Sequence, residues 1–349
     1  MIEAFEDAAA HVDDKWARVL SRADRVRRHV ARRIGAQADE IALGANTHEL
    51  VARFLSGLDW RRGRHLVTTE GEFHSMRRQL LRLAEAGVEV HWEPVAPVAT
   101  LAARLAAAVR PDTVGLLAST VLFQTSTVVP GLAQAAAAAV AVGAQVLFDA
   151  YHAFDALPFT VAELGGGVFV TAGGYKYAQW GEGCCWLRVP PGVNLRPVFT
   201  GWFSDFEGLA DPAARGPVGY GPDGAHRFAG STFEPTSVYR AAAVCDFFEA
   251  QGMTVPALRA TSLAQTARLL QGLEGLPGCT VLTPREGPAR GGFVAVQVAG
   301  AARVVQGLRA RGVFADARGD VLRLGPAPYL LDADLQGGLD ALRAVLVGG

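Results

Sequence analysis

The chain has 349 residues, half of them apolar, with 33 basic against 34 acidic side chains and a formal net charge of −1. That balance offers no electrostatic footprint for nucleic acid or an anionic membrane, and the length allows one large and one smaller domain. The four cysteines, Cys184, Cys185, Cys245 and Cys279, have no metal-ligand spacing and read as buried free thiols.

From Ile2 to Arg33 the apolar residues Phe5, Val12, Trp16, Val19, Leu20 and Val26 recur at helical spacing. The basic series from Arg22 to Arg33 on that helix reads as a solvated or subunit-facing surface. The opening MIEAFEDAAAHVDDKW is acidic and amphipathic, unlike a basic-then-apolar leader, so a cytoplasmic protein is expected. IALG then predicts a short strand that turns into a helix at Asn46–Thr47. Such a helix start suits an anion such as phosphate, or Asn46 simply caps it.

HLVTTEGEFHSMRRQLLRLAEAGVEVHWEPV reads as strand, loop, helix and strand, with Glu72, Phe73, His74 and Ser75 in the loop. Phe73 is either a flat platform for a planar ligand or an ordinary core residue. VGLLAS is a further strand, and the polar run Gln124–Thr127 after it either lines a site or forms a loop. GLAQAAAAAVAVGAQVLF, interrupted by Gln134, Gly143 and Gln145, is helix plus buried strand rather than a membrane span. Repeated strand–helix units with apolar strands predict an α/β protein with a mostly parallel sheet covered by helices.

The strand AQVLFD delivers Asp149, and GVFVTAGG delivers Lys176 between Tyr175 and Tyr177. An acid and a lysine at neighbouring strand ends sit where such sheets bind ligands. A lysine among aromatics and glycines is partly desolvated, which frees its amine for Schiff-base chemistry. An acid behind a pyridine nitrogen keeps that ring protonated. Alone, each residue is more often a surface lysine or a turn-capping aspartate; together they point to pyridoxal phosphate (PLP) on Lys176 with Asp149 behind the ring.

After Trp186 the chain becomes rich in Gly, Pro and aromatics as far as Ser237, which predicts a long structured loop. Helical periodicity returns from Val238. The predicted division is a large domain over 1–250 and a smaller C-terminal α/β domain over 251–349. Within the latter, Arg323 lies inside an apolar strand, where it meets a substrate carboxylate or pairs with Asp316.

These segments resemble the fold-type I PLP enzymes of the aminotransferase class V group, and among them kynureninase most. DAYHAFDALPF is similar to the family's Asp-x-x-His segment, implying that Asp149 pairs with the pyridine nitrogen and His152 lies against the ring. GGYKYAQWGEG resembles the lysine block, implying Lys176 as the Schiff-base lysine and Tyr175 as a phosphate or substrate contact. GEFHSMRRQ implies that Phe73 stacks on the ring, and GANTHEL implies phosphate contact by Asn46 or Thr47. RPVFTGWF implies Trp202 near phosphate or substrate, and RFAGST implies that Ser231 and Thr232 reach the phosphate of a partner subunit in a homodimer. RGGF, GVFADAR and VLRLGPAPYL follow the family's small-domain order and imply Arg323 as the clamp for the substrate carboxylate.

The resemblance implies hydrolysis of the Cβ–Cγ bond of kynurenine or 3-hydroxykynurenine to an anthranilate and alanine, with Trp202, Phe203, His48 and Tyr151 as candidates for an aryl pocket. The alternative is a class V aminotransferase, epimerase or C–S lyase on another amino acid, or a non-catalytic PLP-binding relative. A cysteine desulfurase fits less well, because no cysteine stands between Thr280 and Arg323. His74, where kynureninases carry proline, and FSDF after the Gly-Trp pair depart from the family. So does the start of the chain, which lies beyond the family's Gly-Asn-Ser-Leu-Gly-like loop.

Overall fold

A computed structural model describes residues 1–210, 216–222 and 224–347; residues 211–215 and 223 of the predicted long loop lie outside it. Two sheets organise the described residues. The larger has seven strands: β1 (Ile41–Gly44), β2 (His65–Thr69), β3 (Glu89–Glu93), β4 (Thr113–Ser119), β5 (Gln145–Asp149), β6 (Phe169–Gly173) and β7 (Cys185–Arg188). Their order is β1-β7-β6-β5-β4-β2-β3, and only β7 runs antiparallel to its neighbours. β4 and β6 are buried at every residue, as expected for strands covered on both faces. The sheet is the predicted one: mostly parallel, with helices packed on it.

Apolar layers form on both faces. Val26, Val30 and Ile34 of the helix Lys15–Ile34 pack with Ala135 and Ala139 of the helix Leu132–Ala141 in one layer. Leu50 and Phe54 of the helix Thr47–Ser56 join Met76 and Leu80 of the helix His74–Glu85 in the other.

The smaller sheet contains β8 (Cys279–Val281), β9 (Val294–Val298), β10 (Asp316–Arg318) and β11 (Val321–Leu324), ordered β10-β11-β9-β8 and antiparallel throughout. Leu269, Leu339 and Leu342 cover it from the helices Val255–Leu273 and Asp332–Val347.

Where the sequence predicted one helix over Ile2–Arg33, two are found, Ile2–His11 and Lys15–Ile34, with a 3-10 turn at Val12–Asp14 between them. Val12 takes φ 45°, which ends the first helix. Asp13 and Asp14 then precede the second, where negative charge suits a helix N-terminus. The arginine series is also more than a solvated face. Arg25 pairs with Asp246 and Glu249 at 2.5 and 2.6 Å, Arg32 pairs with Glu249, and Arg33 Nη2 donates to the Met253 carbonyl at 2.7 Å. The series therefore pins its helix to the end of the helix Thr236–Ala250.

The run Gln124–Thr127 is the seam between the sheets. Val128 N–H donates to the Ala289 carbonyl at 2.9 Å, Gly291 N–H to the Ser126 carbonyl at 2.6 Å, and Thr283 Oγ1 to the Thr125 carbonyl at 2.9 Å. Ser126, fully buried with φ 61°, also accepts from Phe293 N–H through its Oγ at 3.3 Å.

Candidate active site

The carboxyl ends of the parallel strands open onto a cavity of about 320 Å³. Asp149 ends β5 and borders it. The Asp149 Oδ1 accepts from the Tyr151 N–H at 2.8 Å, and the other carboxylate oxygen has no protein donor among the described residues. Burial pushes the Asp149 carboxyl up from its ordinary value, while Lys176 pulls it back. Lys176 stands on the loop just after β6, with Nζ 5.0 Å from the Tyr151 ring centre, 5.7 Å from the Phe73 ring centre and 2.5 Å from His152 Nε2. Burial is the main force that lowers the Lys176 ammonium to about 8, against the attraction of Asp149. Burial, then Lys176 and Arg323, depress His152 well below its usual range, so its imidazole is neutral.

Gly173 and Gly174 make this loop possible. A Cβ at Gly173 would stand 2.5 Å from Cys185 Sγ and 2.6 Å from the Tyr151 hydroxyl; one at Gly174 would meet Trp180 at 2.5 Å.

Phe73, half-buried before the helix His74–Glu85, packs edge-on against Phe123 at 5.4 Å and leaves its ring on the cavity. Asn46 caps the helix Thr47–Ser56: its Oδ1 accepts from Glu49 N–H at 2.8 Å. The capping alternative is thus realised, and Asn46, Thr47 and His48 place that helix's positive end on the cavity as well.

Glu72 is the group whose part sequence reading passed over. It is 1% exposed, and its carboxyl accepts from Ser119 N–H at 3.1 Å, from Ser119 Oγ at 2.6 Å and from Thr69 Oγ1 at 2.5 Å. Burial first, with Asp149 adding to it, raises Glu72 to about 7. Its neighbour in sequence is Phe73 and its partner Ser119 pairs in register with Asp149, so it ties the ring platform to the acid strand. An acid directly before the aromatic, at the end of a buried strand, was the available signal.

From the smaller sheet, Arg323 reaches the same cavity, bound to Asp316 by Nε–Oδ1 at 2.7 Å and Nη2–Oδ2 at 2.5 Å, with Nη1 donating to the Phe123 carbonyl at 2.9 Å. The pairing with Asp316 foreseen as one of two alternatives is therefore present. A second cavity of about 390 Å³ adjoins the first and shares His152, Tyr175, Lys176, Asp316 and Arg323 with it.

Trp202, Ser231 and Thr232 are not brought to Lys176 within this chain. Trp202 is 41% exposed, packs on Phe203 and Phe206, and donates from Nε1 to Thr232 Oγ1 at 3.1 Å. Ser231 and Thr232 line a separate cavity with Glu49 and Arg53. Of the aryl-pocket candidates, His48 and Tyr151 border the Lys176 cavity and Trp202 and Phe203 do not. None of the four cysteines lines either cavity.

The cystine C–S lyase C-DES, in a form with glycine covalently linked to its PLP cofactor, superposes with a TM-score of 0.84 at 21% identity, over 98% of this chain and 91% of that one. The cysteine desulfurase of Thermococcus onnurineus NA1 follows at 0.80 and 18% identity, over 100% and 91%. This chain has the fold of the cysteine desulfurases. C-DES in complex with its reaction product, cysteine persulfide, gives a TM-score of 0.81 at 21% identity, over 98% and 93%.

The curated mitochondrial cysteine desulfurase of Arthroderma benhamiae is 28% identical over 188 residues, which span 51% of this chain and 36% of that protein. The kynureninase C-terminal domain family matches residues 258–342. The likeness to kynureninase is thus found in the C-terminal part, while over the whole length the chain superposes on a cystine C–S lyase and on cysteine desulfurases, readings ranked lower from sequence.

Proposed function

We propose that this chain is a PLP-dependent C–S lyase, removing a sulfur leaving group from the β-carbon of an amino acid such as L-cystine. The observation that carries this reading is a lysine, acid and aromatic cavity in the desulfurase fold with no cysteine on its wall. A desulfurase needs a protein thiol to receive the sulfur; here the sulfur departs on the leaving group instead.

The cavity suits PLP. Lys176 Nζ would hold the cofactor's aldehyde carbon. The uncommitted oxygen of Asp149 would accept from the ring nitrogen, Phe73 and His152 would flank the ring, and Asn46, Thr47 and Tyr175 would receive the phosphate. Trp202, Ser231 and Thr232 would serve a partner's site in a homodimer. Residues 1–250 would form the cofactor-holding domain and residues 251–349 the domain that carries Arg323. When bound, the protonated ring supplies a sink for the electron pair released at the substrate's Cα.

Arg323 seats the α-carboxylate and so aims Cα at Lys176. Lys176 Nζ, neutral in a large fraction of molecules near its pKa of about 8, takes the Cα proton. His152, at 2.5 Å and held neutral by burial, accepts a hydrogen bond from that amine and fixes its direction. The Cβ–S bond then breaks and the thiolate leaves with the bonding pair, while the adjoining second cavity gives it room.

Kynureninase-type hydrolysis is the second reading, favoured by the domain match over 258–342. Mass spectrometry of products after incubating the cofactor-loaded protein with L-cystine, and separately with L-kynurenine, decides between them. Pyruvate, ammonia and cysteine persulfide from cystine, absent with Lys176→Ala, are expected. Anthranilate and alanine from kynurenine, with cystine untouched, would replace the lyase reading by the hydrolase.

A further inference from the structure

A carboxylate of the protein already occupies the seat assigned above to the substrate's carboxylate. Asp316 and Arg323 face each other across the β10–β11 pair and make both bonds of the arginine fork. The Nε and Nη2 edge of the fork is thus filled, and a substrate carboxylate takes that edge only in place of Asp316, while Nη1 is anchored to the Phe123 carbonyl. Burial opposes the charge on Asp316, yet the bonds from Arg323 and the nearby Arg318 hold its carboxyl below the ordinary value, so it is an anion in place.

The two partners differ in freedom. The Arg323 side chain is 11% exposed and that of Asp316 46%, so the acid can leave into water far more cheaply than the arginine can turn. It also has somewhere to go. Arg318 lies two residues along the same strand, on the same face, with Nη2 3.4 Å from the Asp316 Oδ2 that Arg323 now holds. All three side chains border the Lys176 cavity.

We propose that Asp316 is a built-in competitor for the carboxylate seat on Arg323, and that it swings to Arg318 when an amino acid binds. The exchange replaces one carboxylate by another on the same fork, so Arg323 is never left buried without a partner. A ligand that lacks a carboxylate cannot drive it. This inference rests on the reading of Arg323 as the carboxylate seat.

The test measures phenylglyoxal modification of Arg323 in the cofactor-loaded protein by peptide mass spectrometry, with L-alanine as protecting ligand. Because a competing state lowers apparent affinity by its population, Asp316→Asn should reduce the alanine concentration for half-protection by at least about threefold. Arg318→Gln should raise it, since Asp316 then has no second partner. With the sulfur substrate, Asp316→Asn should lower KM more than it changes kcat. Half-protection at unchanged or higher alanine in Asp316→Asn would show that the acid orients the arginine and would overturn the exchange. Failure of alanine to protect Arg323 in any of the proteins would remove the seat itself, and the exchange with it. Thermal unfolding of each variant, and the opposite sign expected for Arg318→Gln, separate these results from a loss of fold.

Discussion

On the proposed function, Lys176 would gain its reactivity from its surroundings, above all from burial. Burial lowers its ammonium to about 8, and the amine fraction therefore rises with pH up to that value and levels off above it. Capture of an aldehyde needs the free amine. The initial rate of pyridoxal phosphate uptake, followed by absorbance, should rise up to tenfold per pH unit from pH 6 and flatten near pH 8, with no such uptake in Lys176→Ala.

Glu72 carries the opposite cost. Its folded pKa of about 7 lies above the ordinary 4.5, so the folded chain binds the extra proton between those values and stability falls as pH rises through that window. The loss approaches about 3 kcal/mol above pH 7. Glu72→Gln keeps an oxygen for Ser119 N–H and Thr69, and offers an amide to Ser119 Oγ. Calorimetric unfolding at pH 5 and pH 8 should show a smaller drop for this variant than for the parent chain.

At the scale of elements, the helix Thr47–Ser56 separates capping from ligand contact. Asn46→Ala should cost about 1 kcal/mol of stability through the lost cap. Asn46→Asp should restore the unfolding midpoint but not the affinity for pyridoxal phosphate, because the new charge meets the phosphate; equal affinities in the two proteins would leave Asn46 a cap alone.

The same helix shows what could be read in advance. IALG followed by Asn-Thr predicted the strand, the turn and the helix start, since capping chemistry is local. Asp149, Lys176 and Phe73 were legible because each closes or opens a periodic segment. The break at Val12 was not, since apolar periodicity carries no sign of its positive φ, nor was the pairing of Arg25 and Arg32 with Glu249, which depends on a helix more than 200 residues away. Trp202 and Ser231 could be named, but where an aperiodic loop comes to rest is set by distant packing.

Across the whole molecule, the two sheets meet at a buried backbone seam rather than through a loose linker. A Cβ at Gly291 would stand 2.6 Å from Ser126 Oγ and 2.9 Å from a Val121 methyl group. Gly291→Ala should therefore cost about 1–3 kcal/mol and, by shifting β11 against Phe123, raise KM for the carboxylate-bearing substrate. Unfolding and steady-state kinetics on one preparation check both effects.

The bond from Arg323 to the Phe123 carbonyl ties the small sheet to the chain just beyond β4, while Lys176 follows β6 of the same large sheet. On the proposed function, these two anchors fix the carboxylate and the Cα–H of an amino acid on one rigid frame. With the amine joined to the cofactor as the third fixed point, only one mirror image would present its Cα–H to Lys176. Handedness would thus be selected by the seam that joins the sheets together with the cofactor, without a residue dedicated to reading it.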